Sequence, residues 1–94
     1  LVPILTFKTF DEVIERANDN DLGLCSYLYT NSMDKAHIGS EKLESGCVAV
    51  NTGVVAIAEA PFGGIKQTGY GREGGSGAIK DYLNVKYTHM GLKI

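Results

Sequence analysis

Leu24-Cys-Ser-Tyr-Leu-Tyr-Thr30 and Cys47-Val-Ala-Val50 are two short apolar runs with a helix-patterned segment between them. Runs of this length, bounded by turn residues, read as buried strands. Asn31 or Ser32 caps the segment between them. Met33, Ala36, Ser40 and Leu43 give it an inward stripe, and Lys35, Glu41, Lys42 and Glu44 are left for water. Gly46 stops the helix and Asn51 closes the second strand. A helix between two strands is the crossover that parallel pairing needs, and such crossovers are right-handed.

The pattern extends upstream. Val2 to Phe7 is apolar with β-branched residues and reads as a further buried strand, with Pro3 near its start or on an edge. Thr9-Phe-Asp-Glu12 is a capping box. Phe10, Val13, Ile14 and Ala17 then follow at i, i+3, i+4, i+7, the face of an amphipathic helix. Asn18-Asp-Asn-Asp21 ends that helix and Gly23 allows the turn. Residues 1–51 therefore predict an α/β fold: two βαβ units of an open parallel sheet, βαβαβ in all.

Downstream the texture changes. Thr52 to Ala60 is small and apolar without clear periodicity, and Pro61-Phe-Gly-Gly-Ile-Lys-Gln-Thr-Gly-Tyr-Gly-Arg-Glu-Gly-Gly75 is dense in glycine. Glycine costs backbone entropy and packs nothing, so such a loop points to a backbone that must approach something closely. A short helix over Gly77 to Leu83 is expected next. Then comes a last strand, Asn84 to Met90, with Val85, Tyr87 and His89 on one face.

Composition narrows the functions. The 94 residues are 44% hydrophobic and 21% charged with a net charge of -2, ordinary globular values that fit one domain at most. Without a polybasic stretch, and with a pI near 5.6, recognition of nucleic acid or an anionic membrane by charge is not expected. The apolar runs are far too short to span a bilayer, and no secretory leader is visible. The chain does not begin with Met, so a longer parent is expected. Cys25 and Cys47 lack C-x-x-C spacing and read as reduced core thiols of a cytoplasmic protein, with a disulfide or a nucleophile as the alternatives. His37 and His89 fall in different elements and make no zinc pattern with them.

Four positions carry candidate chemistry. Gly69-Tyr-Gly-Arg-Glu-Gly74 matches the dinucleotide fingerprint, but it lacks the preceding strand and the acid about 20 residues on, and Glu73 would repel a phosphate. Glu73, on a constrained loop, reads either as a general base or proton relay or as a surface carboxylate paired to Lys66 or Arg72. Phe62 either walls an apolar pocket or plugs the loop onto the core. Asn51 stands at the C-terminal end of a parallel strand, where open α/β sheets place their sites, or is a plain turn residue.

The run Pro61 to Gly74 resembles the C-terminal signature of the NAD(P)-dependent aldehyde dehydrogenase superfamily, P-F-G-G-x-K-x-S-G-x-G-R-E, with Thr68 keeping the hydroxyl of the usual Ser. Gly46-Cys-Val-Ala-Val-Asn51, Ala17 to Thr30 and Ile79 to Tyr87 are similar to the flanking elements of that family, so the resemblance covers the whole chain. Asn51-Thr-Gly-Val-Val55 and Glu59 to Gln67 resemble the succinate-semialdehyde branch, except that Ala56 stands where those enzymes commonly place a Ser to hold the substrate carboxylate.

The resemblance implies a parent in which a cysteine thiolate attacks an aldehyde, hydride passes to NAD or NADP, and water hydrolyses the thioester. It places nucleophile and cofactor fold upstream, so this segment alone is expected to be inactive and to hold no cofactor. Glu73 matches the glutamate that relays protons to the deacylating water, and Phe62 an aromatic wall of the substrate tunnel. The carbonyls of Lys66 and Gly69 match a monovalent cation site of some members. Residues 1–83 would be the end of the catalytic domain. Residues 84–94 would be a strand of the oligomerisation sheet, implying a homo-oligomer. The rival expectation is a free-standing, non-catalytic assembly module that self-associates.

Overall fold

The computed structural model describes residues 1–93. Helix α1 spans Phe10–Asn18. The Thr9 hydroxyl accepts from the Glu12 amide at 3.2 Å, and the Glu12 carboxylate accepts from the Lys8 amide at 2.9 Å, so the return bond of the cap reaches one residue beyond Thr9. The Lys8 amide, with help from the Thr9 amide and Arg16, holds the Glu12 carboxyl below the usual glutamate range despite the opposing effect of desolvation. Of the expected apolar face only Ile14 is buried; Phe10 and Val13 are half-buried and Ala17 is exposed.

Strands β1 (Leu22–Gly23) and β2 (Cys25–Leu28) follow, then α2 (Met33–Lys42), β3 (Cys47–Val50) and β4 (Ile65–Lys66), and last a 3-10 helix at Ala78–Tyr82. Ser32 supplies the α2 cap, accepting from the Lys35 amide at 3.3 Å. β2 and β3 are parallel, in register from Cys25 opposite Cys47 to Leu28 opposite Val50. Thus β2–α2–β3 is the parallel unit expected from its pattern. β1 and β4 form a separate antiparallel pair, Leu22 opposite Lys66 and Gly23 opposite Ile65.

Several expectations are corrected. Among the described residues only one βαβ unit closes, because Val2 to Phe7 forms no strand. Asn84 to Met90 pairs with no strand among the described residues, its expected partner being another subunit, and Ile94 lies outside the described residues. Both segments carry strand-like side chains, but a strand exists only against a partner, and neither finds one here. Gly23 sits buried inside β1 instead of in a turn. The stripe of α2 shifts: Met33 is 84% exposed, while Gly39 is buried against the Leu28 side chain.

Gly46 does not stop α2, which ends at Lys42. A Cβ there would stand 1.8 Å from the Gly63 carbonyl oxygen and 2.9 Å from the Gly64 Cα. Glycine is required because the distal loop lies backbone-to-backbone on the start of β3.

Among the described residues the buried apolar set is Ile14 and Ala49, while Leu1, Val2, Ile4, Leu5 and Phe7 at one end and Val85, Tyr87 and Leu92 at the other are exposed. The radius of gyration is 19.1 Å, against about 12 Å for a compact domain of this length. Two apolar ends are thus left without a partner inside the chain.

Candidate functional site

The glycine-dense loop folds back on itself at Phe62 and Glu73. The Phe62 amide donates to the Glu73 carbonyl at 2.7 Å and the Glu73 amide to the Phe62 carbonyl at 2.8 Å. Residues that exchange both bonds stand directly opposite on an antiparallel ribbon, so their side chains leave on the same face. The loop is narrow because glycine lines its inside. Gly74 takes φ +69, and a Cβ there would meet the Ala60 carbonyl at 2.8 Å. Arg72 ties the ribbon from within, donating to the Gly64 carbonyl at 2.8 Å and the Gly71 carbonyl at 2.7 Å. The Thr68 hydroxyl accepts from the Gly23 amide at 2.9 Å and the Gln67 amide donates to the Asp21 carbonyl at 2.9 Å, which anchors the loop beside β1.

Ala56, Phe62 and Glu73 line one open concavity of about 380 Å³, together with Ile57, Ala58, Ala60 and Gly74. Phe62 is half-buried and Glu73 exposed. The paired-carboxylate reading of Glu73 is overturned. Lys66 sits 2.6 Å from Glu44 instead, Arg72 is spent on carbonyls, and among the described residues Glu73 enters no ion pair. Of Asn51's two readings the turn residue prevails: at φ +56 its side chain brackets Thr30, accepting from the amide and donating to the carbonyl at 2.9 Å each.

Lys66 and Gly69 stand apart from this concavity, at a turn in which the Gly69 amide donates to the Lys66 carbonyl at 3.2 Å. The Lys66 ammonium reaches back to the carbonyls of Asn18 and Asn20 at 3.0 and 3.2 Å. His37 faces Glu41 at 3.7 Å on the surface of α2, and His89 meets the Tyr87 hydroxyl at 3.0 Å. Neither belongs to the pocket.

Two contributors escaped the sequence reading. Ile57, Ala58 and Ala60 looked patternless, yet they line the concavity beside Ala56, with the Gly75 amide donating to the Ala58 carbonyl at 2.9 Å. Arg72 is the internal brace, a role the sequence did not indicate when it offered Arg72 as an ion-pair partner of Glu73.

The dinucleotide fingerprint does not fit a pyrophosphate. It opens no helix, the next one being the 3-10 helix at Ala78–Tyr82, and within it the amides of Gly69 and Glu73 donate into the loop, to the carbonyls of Lys66 and Phe62. The two thiols are free and half-buried, and Cys47 points its S–H at the Gly63 carbonyl, 3.7 Å away.

A profile of the aldehyde dehydrogenase family matches residues 1–88. The chain therefore belongs to the aldehyde dehydrogenase family, whose solved members share its mixed α/β arrangement. Over 91 residues it is 47% identical to the 3-sulfolactaldehyde dehydrogenase of Pseudomonas putida, covering 97% of this chain and 19% of that protein. Over 92 residues it is 45% identical to an NADP(+) succinate-semialdehyde dehydrogenase of Escherichia coli K12, covering 98% and 19%. The NAD+ complex of an aldehyde dehydrogenase from Bacillus cereus superposes with a TM-score of 0.89 at 42% identity, over 95% of this chain and 18% of that one. The chain thus spans less than a fifth of the relatives it matches. Among the described residues no helix is long and apolar enough to cross a membrane.

Proposed function

We propose that these residues are the C-terminal segment of a cytoplasmic, NAD(P)-dependent aldehyde dehydrogenase. Its substrate is an aldehyde with an anionic tail, succinate semialdehyde first, and its product is the carboxylic acid. The relatives support that class: their names specify sulfolactaldehyde, succinate semialdehyde and glutarate semialdehyde, each with an acid group beside the aldehyde. Residues 1–83 complete the catalytic domain, and residues 84–94 add a strand to a sheet shared between subunits. The two unpartnered apolar ends support this reading, since each needs a surface to cover it.

The observation that carries the reading is the shared concavity of Ala56, Phe62 and Glu73. The reactive thiol and the cofactor site belong to residues outside this segment, whose glycine loop does not fit a pyrophosphate. In deacylation, water attacks the thioester carbonyl, the thiolate leaves, and the water's proton passes to a general-base glutamate upstream of this segment and is relayed through the Glu73 carboxylate. Phe62 gives the acyl chain an apolar wall, and Ala56 leaves the tail end of the pocket without a hydroxyl donor. The Lys66 and Gly69 carbonyls are assigned to a monovalent cation, with one Lys66 lone pair already taken by the Gly69 amide.

Glu73→Gln in the full-length enzyme tests this. Loss of a proton acceptor should slow steady-state turnover by about 10²–10⁴-fold and leave the first-turnover burst intact, so that acyl-enzyme accumulates. Equal loss of burst and steady state would place Glu73 elsewhere than in deacylation. The second reading, a self-associating module without chemistry, draws on the same exposed ends. Turnover of succinate semialdehyde by the full-length protein excludes it.

A further inference from the structure

In the sequence Cys25 and Cys47 are two separate core thiols, 22 positions apart. The structure makes them opposite numbers: each is the first residue of its strand, and they are register partners on the parallel β2–β3 pair. Paired strands lie about 4.8 Å apart, which falls inside the Cα separation of roughly 4.4–6.8 Å that a disulfide spans. In a parallel pair, register partners project from the same face of the sheet. Their backbones are already held together there, the Cys47 amide donating to the Leu24 carbonyl at 2.9 Å and the Gly46 amide to the Gly23 carbonyl at 3.1 Å. Both side chains are half-buried and both are free thiols.

We propose that Cys25 and Cys47 form a reversible intramolecular disulfide, a modification site that staples β2 to β3 around α2. The oxidant is a peroxide. One thiol takes an oxygen from hydrogen peroxide, giving a sulfenic acid and one water. The second sulfur then attacks the first, forming the S–S bond and releasing a second water, so two thiols and one peroxide give one disulfide and two waters. A dithiol reductant returns two electrons and two protons and is itself oxidised to a disulfide.

The nearness of the two thiols has a second sign. Burial first, and then the adjoining Cys47, raise the Cys25 thiol above the ordinary cysteine range. A pair whose reduced form gains nothing from thiolate stabilisation rests further toward the disulfide at equilibrium.

The modification has a local consequence. The Cys47 proton now directed at the Gly63 carbonyl is consumed, and Gly63 adjoins Phe62. Oxidation therefore releases one tether of the ribbon that carries the pocket wall.

The test is a non-reducing proteolytic map of the full-length protein after stoichiometric hydrogen peroxide. The expected result is a linked pair of peptides, one holding Cys25 and one holding Cys47, lighter by two hydrogens than the separate peptides and resolved by dithiothreitol. Cys25→Ala and Cys47→Ala, each shown to keep its circular dichroism spectrum, should each abolish the pair. Separate sulfinic acids on the two peptides, or linkage of either cysteine to a different one, would overturn the proposal. A linked pair that persists in either alanine variant would be misassigned and would overturn it equally.

Discussion

Gly46→Ala isolates the contact that positions the site. The new methyl carbon would lie 1.8 Å from the Gly63 carbonyl oxygen, 2.8 Å from the Gly63 carbonyl carbon and 2.9 Å from the Gly64 Cα. All three are backbone atoms, so no side chain can rotate away. The Gly63 oxygen has to retreat by more than an ångström to reach even the 3.0 Å floor of real Cβ contacts. Overpacking of this kind costs about 1–3 kcal/mol.

That displacement is passed to the preceding residue, Phe62, and through its paired bonds to Glu73. A misplacement of about 1 Å at a reacting group costs on the order of 10²-fold in rate. In the full-length enzyme, with the function proposed above, Gly46→Ala should therefore lower kcat for succinate semialdehyde roughly 100-fold while the protein stays folded. Gly77→Ala is the control: its Cβ meets open space and its backbone is right-handed, so stability should hold to within about 0.5 kcal/mol. Steady-state kinetics and thermal melts of both variants decide it. If Gly46→Ala matches Gly77→Ala in both, the close approach of loop and strand does not control the site.

Three further perturbations read separate parts of the structure. Ala56→Ser restores a donor to the pocket, and a hydrogen bond to a charged group contributes about 1.5–3 kcal/mol, so KM for succinate semialdehyde should fall by about tenfold or more while that for butanal stays put; equal changes for both aldehydes would refute a role in carboxylate recognition. Lys66→Met deprives two carbonyls and a carboxylate of their donor and should cost about 1–3 kcal/mol by urea midpoint, whereas Glu44→Gln, at a side chain 55% exposed, should cost under about 1 kcal/mol; the reverse order would show that the ion pair outweighs the carbonyl bonds. Glu12 has a folded pKa below its unfolded value of 4.5, so its contribution is present above pH 4.5 and lost as pH falls through the lower folded value; Glu12→Gln should flatten that part of the acid stability profile, and an unchanged slope would mean the cap does not titrate.

The parts legible in the sequence were those whose pattern is satisfied inside the chain. α1 and α2 declare themselves through caps at Thr9 and Ser32, and β3 through a compact apolar run after the crossover. The two-residue strands β1 and β4 are too short to carry a period, so their pairing was invisible. Val2 to Phe7 and Asn84 to Met90 fail in the opposite sense: their side chains are strand-like, but a ladder needs a second backbone that these residues do not contain. At the site, the glycines announced a close approach without saying to what. The match to a family signature singled out Phe62 and Glu73, but not the backbone bridge that sets them side by side. That bridge joins positions 11 apart across a stretch with no hydrophobic rhythm, and such pairing leaves no mark in side-chain order.

Because the bridge between Phe62 and Glu73 is made wholly of main-chain atoms, it is indifferent to what side chain stands at position 62. A smaller or larger residue there would resculpt the wall while the carboxylate opposite keeps its place. With the roles proposed for these two residues, the scaffold separates choice of cargo from proton handling, and a lineage could broaden or narrow its diet one residue at a time without dismantling its chemistry.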